Sequence, residues 1–113
     1  MSADERIERA RLLYESFVFG GEASVLAAAD RELDAVEADL ALARGRVLHG
    51  RFLEQRDSDP EQLTGDPREL ALFERAADLY QALGDVPGEA EALFGSAAST
   101  RLSGATTTPR FPS

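Results

Sequence analysis

Residues 68–94 read RELALFERAADLYQALGDVPGEAEALF. Asp66 and Pro67 stand just before them and supply a helix start: Asp as N-cap, Pro at N1 and Glu69 at N3. From there Leu70, Phe73, Ala77 and Tyr80 line one face, and Leu72, Ala76, Leu79 and Leu83 line the adjoining one. An apolar arc this wide has to be covered on two sides, as inside a stack of helices. Gly84 closes the helix, because glycine tolerates the left-handed backbone of a C-terminal cap. Pro87 opens the next helix, with Glu89 and Glu91 in its first turn and Ala90, Leu93 and Phe94 as its expected packing set. The turn between them is tight, so the second helix folds back on the first.

The chain before this hairpin carries the same helical period. Ile7, Ala10, Tyr14 and Phe17 mark a helix from about Ala3 to Val18, with Asp4 and Glu5 where acids suit the helix dipole, and Gly20-Gly21 ends it. Leu26, Ala29, Leu33, Val36 and Leu40 open a second pattern, and Ala43 and Val47 continue it in register. Asp30, Asp34 and Glu37 form a solvated acidic face opposite. Residues 22–56 hold no proline and no turn chemistry near 36–40, which favours one long helix. Residues 57–66 (DSDPEQLTGD) are a loop, with a short helical turn expected at Asp59-Pro60.

At 113 residues the chain is about one domain, and its core is marginal unless a neighbour covers an open end. There is no cysteine, which removes disulfides and thiolate metal sites. His49 is the only histidine, so neither a nucleophile–base pair nor a His-rich zinc site can be assembled. Asp57-Ser58-Asp59 lacks the glycine and terminal glutamate of a calcium loop. No catalytic residue, metal or cofactor is expected, and the chain is not expected to be an enzyme. The charged start lacks the apolar core of a signal peptide, and no apolar run spans a membrane, so the expected location is cytoplasmic. The net charge of −9 disfavours nucleic acid.

Residues 40–52 (LALARGRVLHGRF) are the most basic segment, and the candidate partner-binding residues Arg44, His49, Arg51 and Phe52 lie in it. Gly45 in mid-helix costs about 1 kcal/mol relative to alanine, a sign of close helix approach.

Phe73, Ala76 and Tyr80 in FERAADLYQALGD, GEAEALF from Gly88, and Gly45 followed by Leu48 together resemble the tetratricopeptide repeat family, of the type found in GC-rich actinobacteria. The resemblance covers residues 22–94. It implies an all-α fold of antiparallel helical hairpins stacked as a short solenoid over residues 1–94. Its packing would rest on Gly45, Leu48, Phe73, Ala76, Tyr80, Gly84 and Phe94. It also asks residues 22–56 to form a hairpin turning near 36–40, and the expectation leans that way. The sequence departs from the family in having Ala41 where a tryptophan is usual, and a loop inserted at 57–66. The implied function is a scaffold that binds an unidentified protein or peptide, without nucleic acid or membrane. A regulatory domain of a transcriptional regulator is the family's other implication.

Residues 95–113 break the pattern. Eight of them are Ser or Thr, against five in all of residues 1–94, and the last acid is Glu91. As written they read as a disordered tail. All twelve bases are Arg and there is no Lys or Asn, which points to a GC-rich gene. In GC-rich codons, one T inserted after the Phe94 codon turns the tail into Phe-Trp-Ile-Gly-Cys-Phe-His-Gln-Val-Val-Arg-Gly-Asp-Asp, an amphipathic helix with the Trp-x-Gly of a repeat's first helix. The expectation is therefore the N-terminal part of a longer repeat protein, truncated by a single-base deletion. The alternative is a truncated product with no function of its own, prone to self-association through its uncapped end. Genomic DNA read across the Phe94 codon should show a repeat-coding frame continuing downstream; its absence overturns the reading.

Overall fold

Ser2 starts the first helix: its hydroxyl accepts the Glu5 backbone N–H at 3.2 Å. In a computed structural model that describes residues 1–58 and 65–102, this helix, α1, spans Ala3–Gly20. Gly21 (φ 73°) closes it, its N–H reaching the Phe17 carbonyl at 2.7 Å. Helix α2 spans Ser24–Ser58, α3 Pro67–Leu83 and α4 Val86–Leu102. The described residues form these four helices and no strand. None of the four is long and apolar enough to cross a membrane. The turn expected at Asp59-Pro60 and the tail from residue 103 lie outside the described residues.

Helix α2 corrects the expected hairpin: its 35 residues form one unbroken helix, about 52 Å long. Nothing at residues 36–40 can reverse the chain, and this stretch is gripped by two neighbours. Arg6 and Arg9 of α1 reach Glu32 at 3.1 and 3.7 Å. From α3, Arg75 reaches Glu37 at 2.9 Å and the Tyr80 hydroxyl donates to Asp39 at 2.5 Å. The packing face of α1 is also rotated from its expected position. Ala10 is buried and Leu13 and Phe17 half-buried, while Ile7 and Tyr14 are exposed.

Helix α3 runs antiparallel to α2, as four descending pairs fix: Glu69 with His49, Phe73 with Gly45, Tyr80 with Asp39 and the Leu83 carbonyl with Arg31. Both of its ends follow the sequence reading. Asp66 accepts the Arg68 N–H at 2.9 Å, and Gly84 (φ 74°) takes the left-handed cap, with the Asp85 N–H on the Tyr80 carbonyl at 2.9 Å. Asp85 then caps α4, accepting the Gly88 N–H at 3.0 Å. One Gly-Asp pair thus ends one helix and starts the next.

Phe73, only 2% exposed, is the centre of the core. Its ring lies between Gly45 of α2 and Gly95 of α4, and a Cβ on either glycine would press on it. Around Phe73 and Tyr80, α2 contributes Ala38, Ala41 and Leu42, and α4 contributes Ala92. Gly88, Ala92, Gly95 and Ser99 recur at helical spacing as the inward stripe of α4. The expected packing set of α4 is therefore on the wrong face: Ala90 and Leu93 are exposed, and Phe94 is 74% exposed. Small residues face inward because the space is already filled by the aromatics of α3. The helix also continues past Phe94 to Leu102.

Helix α1 packs on α2, α2 on α3 and α3 on α4, with α4 touching α2 only lightly. The result is an open array. Helix α1 meets neither α3 nor α4.

The glycine packing can be tested by a matched pair. Gly50→Ala meets open space and should stabilise the fold by up to ~1 kcal/mol through helix propensity. Gly95→Ala should destabilise it, because overpacking of ~1–3 kcal/mol exceeds the same propensity gain. Urea unfolding of both variants gives the two signs.

Candidate functional site: the two grooves beside helix α2

Two grooves flank the pair α2 and α3. On one side α4 lies alongside α2, and a groove of about 420 Å³ opens between them over the edge of Phe73. Arg46, His49, Gly50 and Leu53 line its α2 wall, and Glu91, Phe94, Gly95 and Ala98 its α4 wall. Arg46 and Glu91 face each other across it at 3.7 Å, an exposed pair worth at most ~1 kcal/mol. The second groove, about 490 Å³, lies between α2 and the start of α3 on the other side, with Arg44, Arg51 and Arg68 around Val47, Leu48 and Leu72.

The four expected partner-binding residues are divided by this geometry. Arg44 and Arg51 share the second groove. His49 belongs to the first, half-buried, with Nδ1 at 2.8 Å from Oε2 of Glu69. Phe52 is 5% exposed and packs under His49, ring centroids 6.5 Å apart, and it lines a smaller pocket with Leu48, Arg51, Gln55 and Asp66. Of the expected packing residues, Gly45, Phe73, Ala76 and Tyr80 are buried, Leu48 is half-buried and Gly84 caps α3.

Among the described residues, Glu69, 4% exposed, is the one buried carboxylate. The His49 bond satisfies a group that would otherwise be costly to bury, and it fixes the imidazole at the groove edge. The sequence marks Glu69 only as an N3 capping acid. Arg46, Gly50 and Leu53 were also missed, although their spacing places them on one face of α2. The signal was present, but nothing in the sequence says that α4 lies beside that face.

Tyr80 anchors the array electrostatically as well as sterically. Burial, and then its bond to Asp39, push the phenol above its ordinary range. Among the described residues, no three His, Cys, Asp or Glu side chains converge to hold a metal ion.

Comparison with known protein families, characterised proteins and solved structures gives no match.

The Tyr80 environment has a pH consequence. Its folded pKa is raised, so the folded state holds the phenolic proton more tightly than the unfolded state does. The resulting stability is full below the ordinary phenol value near ~10 and is lost as pH rises beyond it. Melting temperature should fall in that range for the native chain and fall less for Tyr80→Phe. In a Tyr14→Phe background, phenolate absorbance should appear only as the helical signal is lost.

Proposed function

We propose that the chain is a non-enzymatic interaction scaffold of the tetratricopeptide type, whose groove between α2 and α4 takes a peptide or partner helix. The observation that carries this reading is the arrangement of α2, α3 and α4. Helix α3 runs back between two helices that point the same way, and the two parallel helices leave a shared open groove. Successive hairpins of a solenoid are stacked in this manner, and their binding surfaces are formed by the parallel helices on one side. The groove volume of about 420 Å³ is within the roughly 300–1,000 Å³ of ligand pockets. Its walls combine an apolar part, Leu53, Phe94 and Ala98, with polar groups held in place, Arg46, His49 and Glu91. A short peptide needs both: apolar area for affinity and fixed polar partners for register.

The outer face of α4 supports the repeat reading independently. Val86, Ala90, Leu93, Phe94 and Ala97 are exposed and share one helical face. That is the face on which the next helix of an array would stack. A tryptophan at position 95, as in the shifted frame, would overlap Phe73 in the present packing. A longer array in that frame would therefore seat α4 differently.

Gly50 provides the test. It lines the groove, and a Cβ there meets nothing within 4 Å, so Gly50→Trp places a bulky side chain on the groove wall from a position without buried contacts. Peptides selected from a displayed random library on the native chain should bind Gly50→Trp at least ~10-fold more weakly, about 1.4 kcal/mol, at a melting temperature no lower than that of the native chain. Failure to select any peptide, or peptides indifferent to this substitution, overturns the reading.

A further inference from the structure

Helix α1 covers only part of one face of α2. Helical spacing puts Arg44, Val47 and Arg51 on the same face as Ala29, Leu33, Val36 and Leu40. With 18 residues against 35, α1 reaches only the N-terminal part of that face, where Arg6 and Arg9 hold it to Glu32. Leu33 and Leu40 on that face are exposed, and further along it opens, together with the start of α3, into the second groove. Its floor is Val47, Leu48 and Leu72, and three guanidiniums stand around it.

The three arginines are not equivalent. Arg68 is held by Asp66, Nη2 to Oδ2 at 2.8 Å. Arg44 and Arg51 have no ion pair among the described residues. Arg31 and Arg56 also lack an ion pair among the described residues, but Arg44 and Arg51 stand together over an apolar floor. Each acid elsewhere is a candidate partner, yet these two cations face a groove. The polarity is also reversed relative to the seat of α1. There the docked helix brings the arginines and α2 brings the glutamate; here α2 brings the arginines.

We propose that this groove docks an acidic amphipathic helix of a partner protein, laid along α2 as a continuation of α1, with two carboxylates one heptad apart on Arg44 and Arg51. Those two residues are seven positions apart, about 10.5 Å along the axis, and carboxylates at the same spacing on a neighbouring helix meet both. The helix's apolar side covers Val47, Leu48 and Leu72. A polyanion such as a nucleic acid fits less well, since the net charge of −9 repels it and the apolar floor gives it nothing. The proposal rests on the scaffold reading but uses a different surface, so the two fail separately.

The probe is a synthetic amphipathic helix with leucines on one side and two glutamates a heptad apart, together with matched glutamine and lysine versions. Binding is read by fluorescence anisotropy and located by methyl NMR. The glutamate peptide should bind the native chain, shift Val47, Leu48 and Leu72, and weaken with salt. The double variant Arg44→Glu/Arg51→Glu changes exposed side chains that have no ion pair among the described residues. It should weaken the glutamate peptide at least ~10-fold and bind the lysine peptide instead. The proposal is overturned if the glutamine peptide binds the native chain as tightly as the glutamate one, or if charge reversal has no effect. It is likewise overturned if the methyl shifts fall on Leu53 and Ala98, or if a short DNA duplex displaces the peptide at lower concentration. The peptide comparison on the native chain decides the matter even if the double variant does not fold. Weakened library peptides on Gly50→Trp with an intact glutamate-peptide signal would leave both readings standing.

Discussion

Phe73 and Tyr80 stand seven residues apart on α3, two turns of helix, and the neighbouring helices meet them with residues that have almost no side chain. Gly45 faces Phe73 from α2, Gly95 faces it from α4, and Gly88 faces Tyr80 so closely that an added Cβ would lie 2.6 Å from the ring. This is packing by large knobs from one helix into shallow stripes on two others. Its energetics are concentrated. Removing a buried phenylalanine side chain costs about 3–5 kcal/mol, a large share of the ~5–15 kcal/mol that holds a whole domain together. The core has few other large side chains to share that load, since most of its members are alanines.

A core of this kind determines what the surface looks like. Once the aromatics of α3 occupy the space between α2 and α4, the large apolar residues of α4 have no room inside. Leu93 and Phe94 turn outward, onto the free face and the groove edge. The close approach of α4 to α3 also draws it beside α2, which creates the groove that Arg46 and His49 border. The same geometry explains His49. It reaches across the seam between α2 and α3 to satisfy Glu69, and so ties the groove wall to the helix that carries the aromatic core.

The sequence was most informative where two independent signals coincide. Helix α3 has a wide apolar arc and explicit caps at both ends, Asp66 and Gly84, and its limits follow from them. It was misleading for α2, where the repeat pattern asked for a turn that the local residues cannot make. Local chemistry was the better guide, because reversing a helix needs residues that tolerate the turn, and residues 36–40 have none. The face of α4 was illegible for a different reason. Hydrophobic periodicity detects large side chains, and the inward stripe of α4 is Gly88, Ala92, Gly95 and Ser99, whose role is to be small. The candidate site suffered from a related gap. Arg44, His49, Arg51 and Phe52 are close in sequence, but on a helix they point in different directions, and only the positions of α3 and α4 decide which groove each one meets.

Helix α2 is therefore the element through which the parts communicate. Its long axis carries three surfaces in different directions: the seat of α1 and its basic continuation, the small-residue stripe under Phe73, and the wall of the groove shared with α4. A hairpin in its place would have split these surfaces between two shorter helices with separate orientations. As one rigid rod, it fixes the two grooves relative to each other on opposite sides of a common core. The grooves differ in charge as well. One is closed at its rim by the pair Arg46 and Glu91, and in the other Arg44 and Arg51 have no ion pair among the described residues. In a chain with a net charge of −9, this places a local cluster of positive charge on one face of one helix.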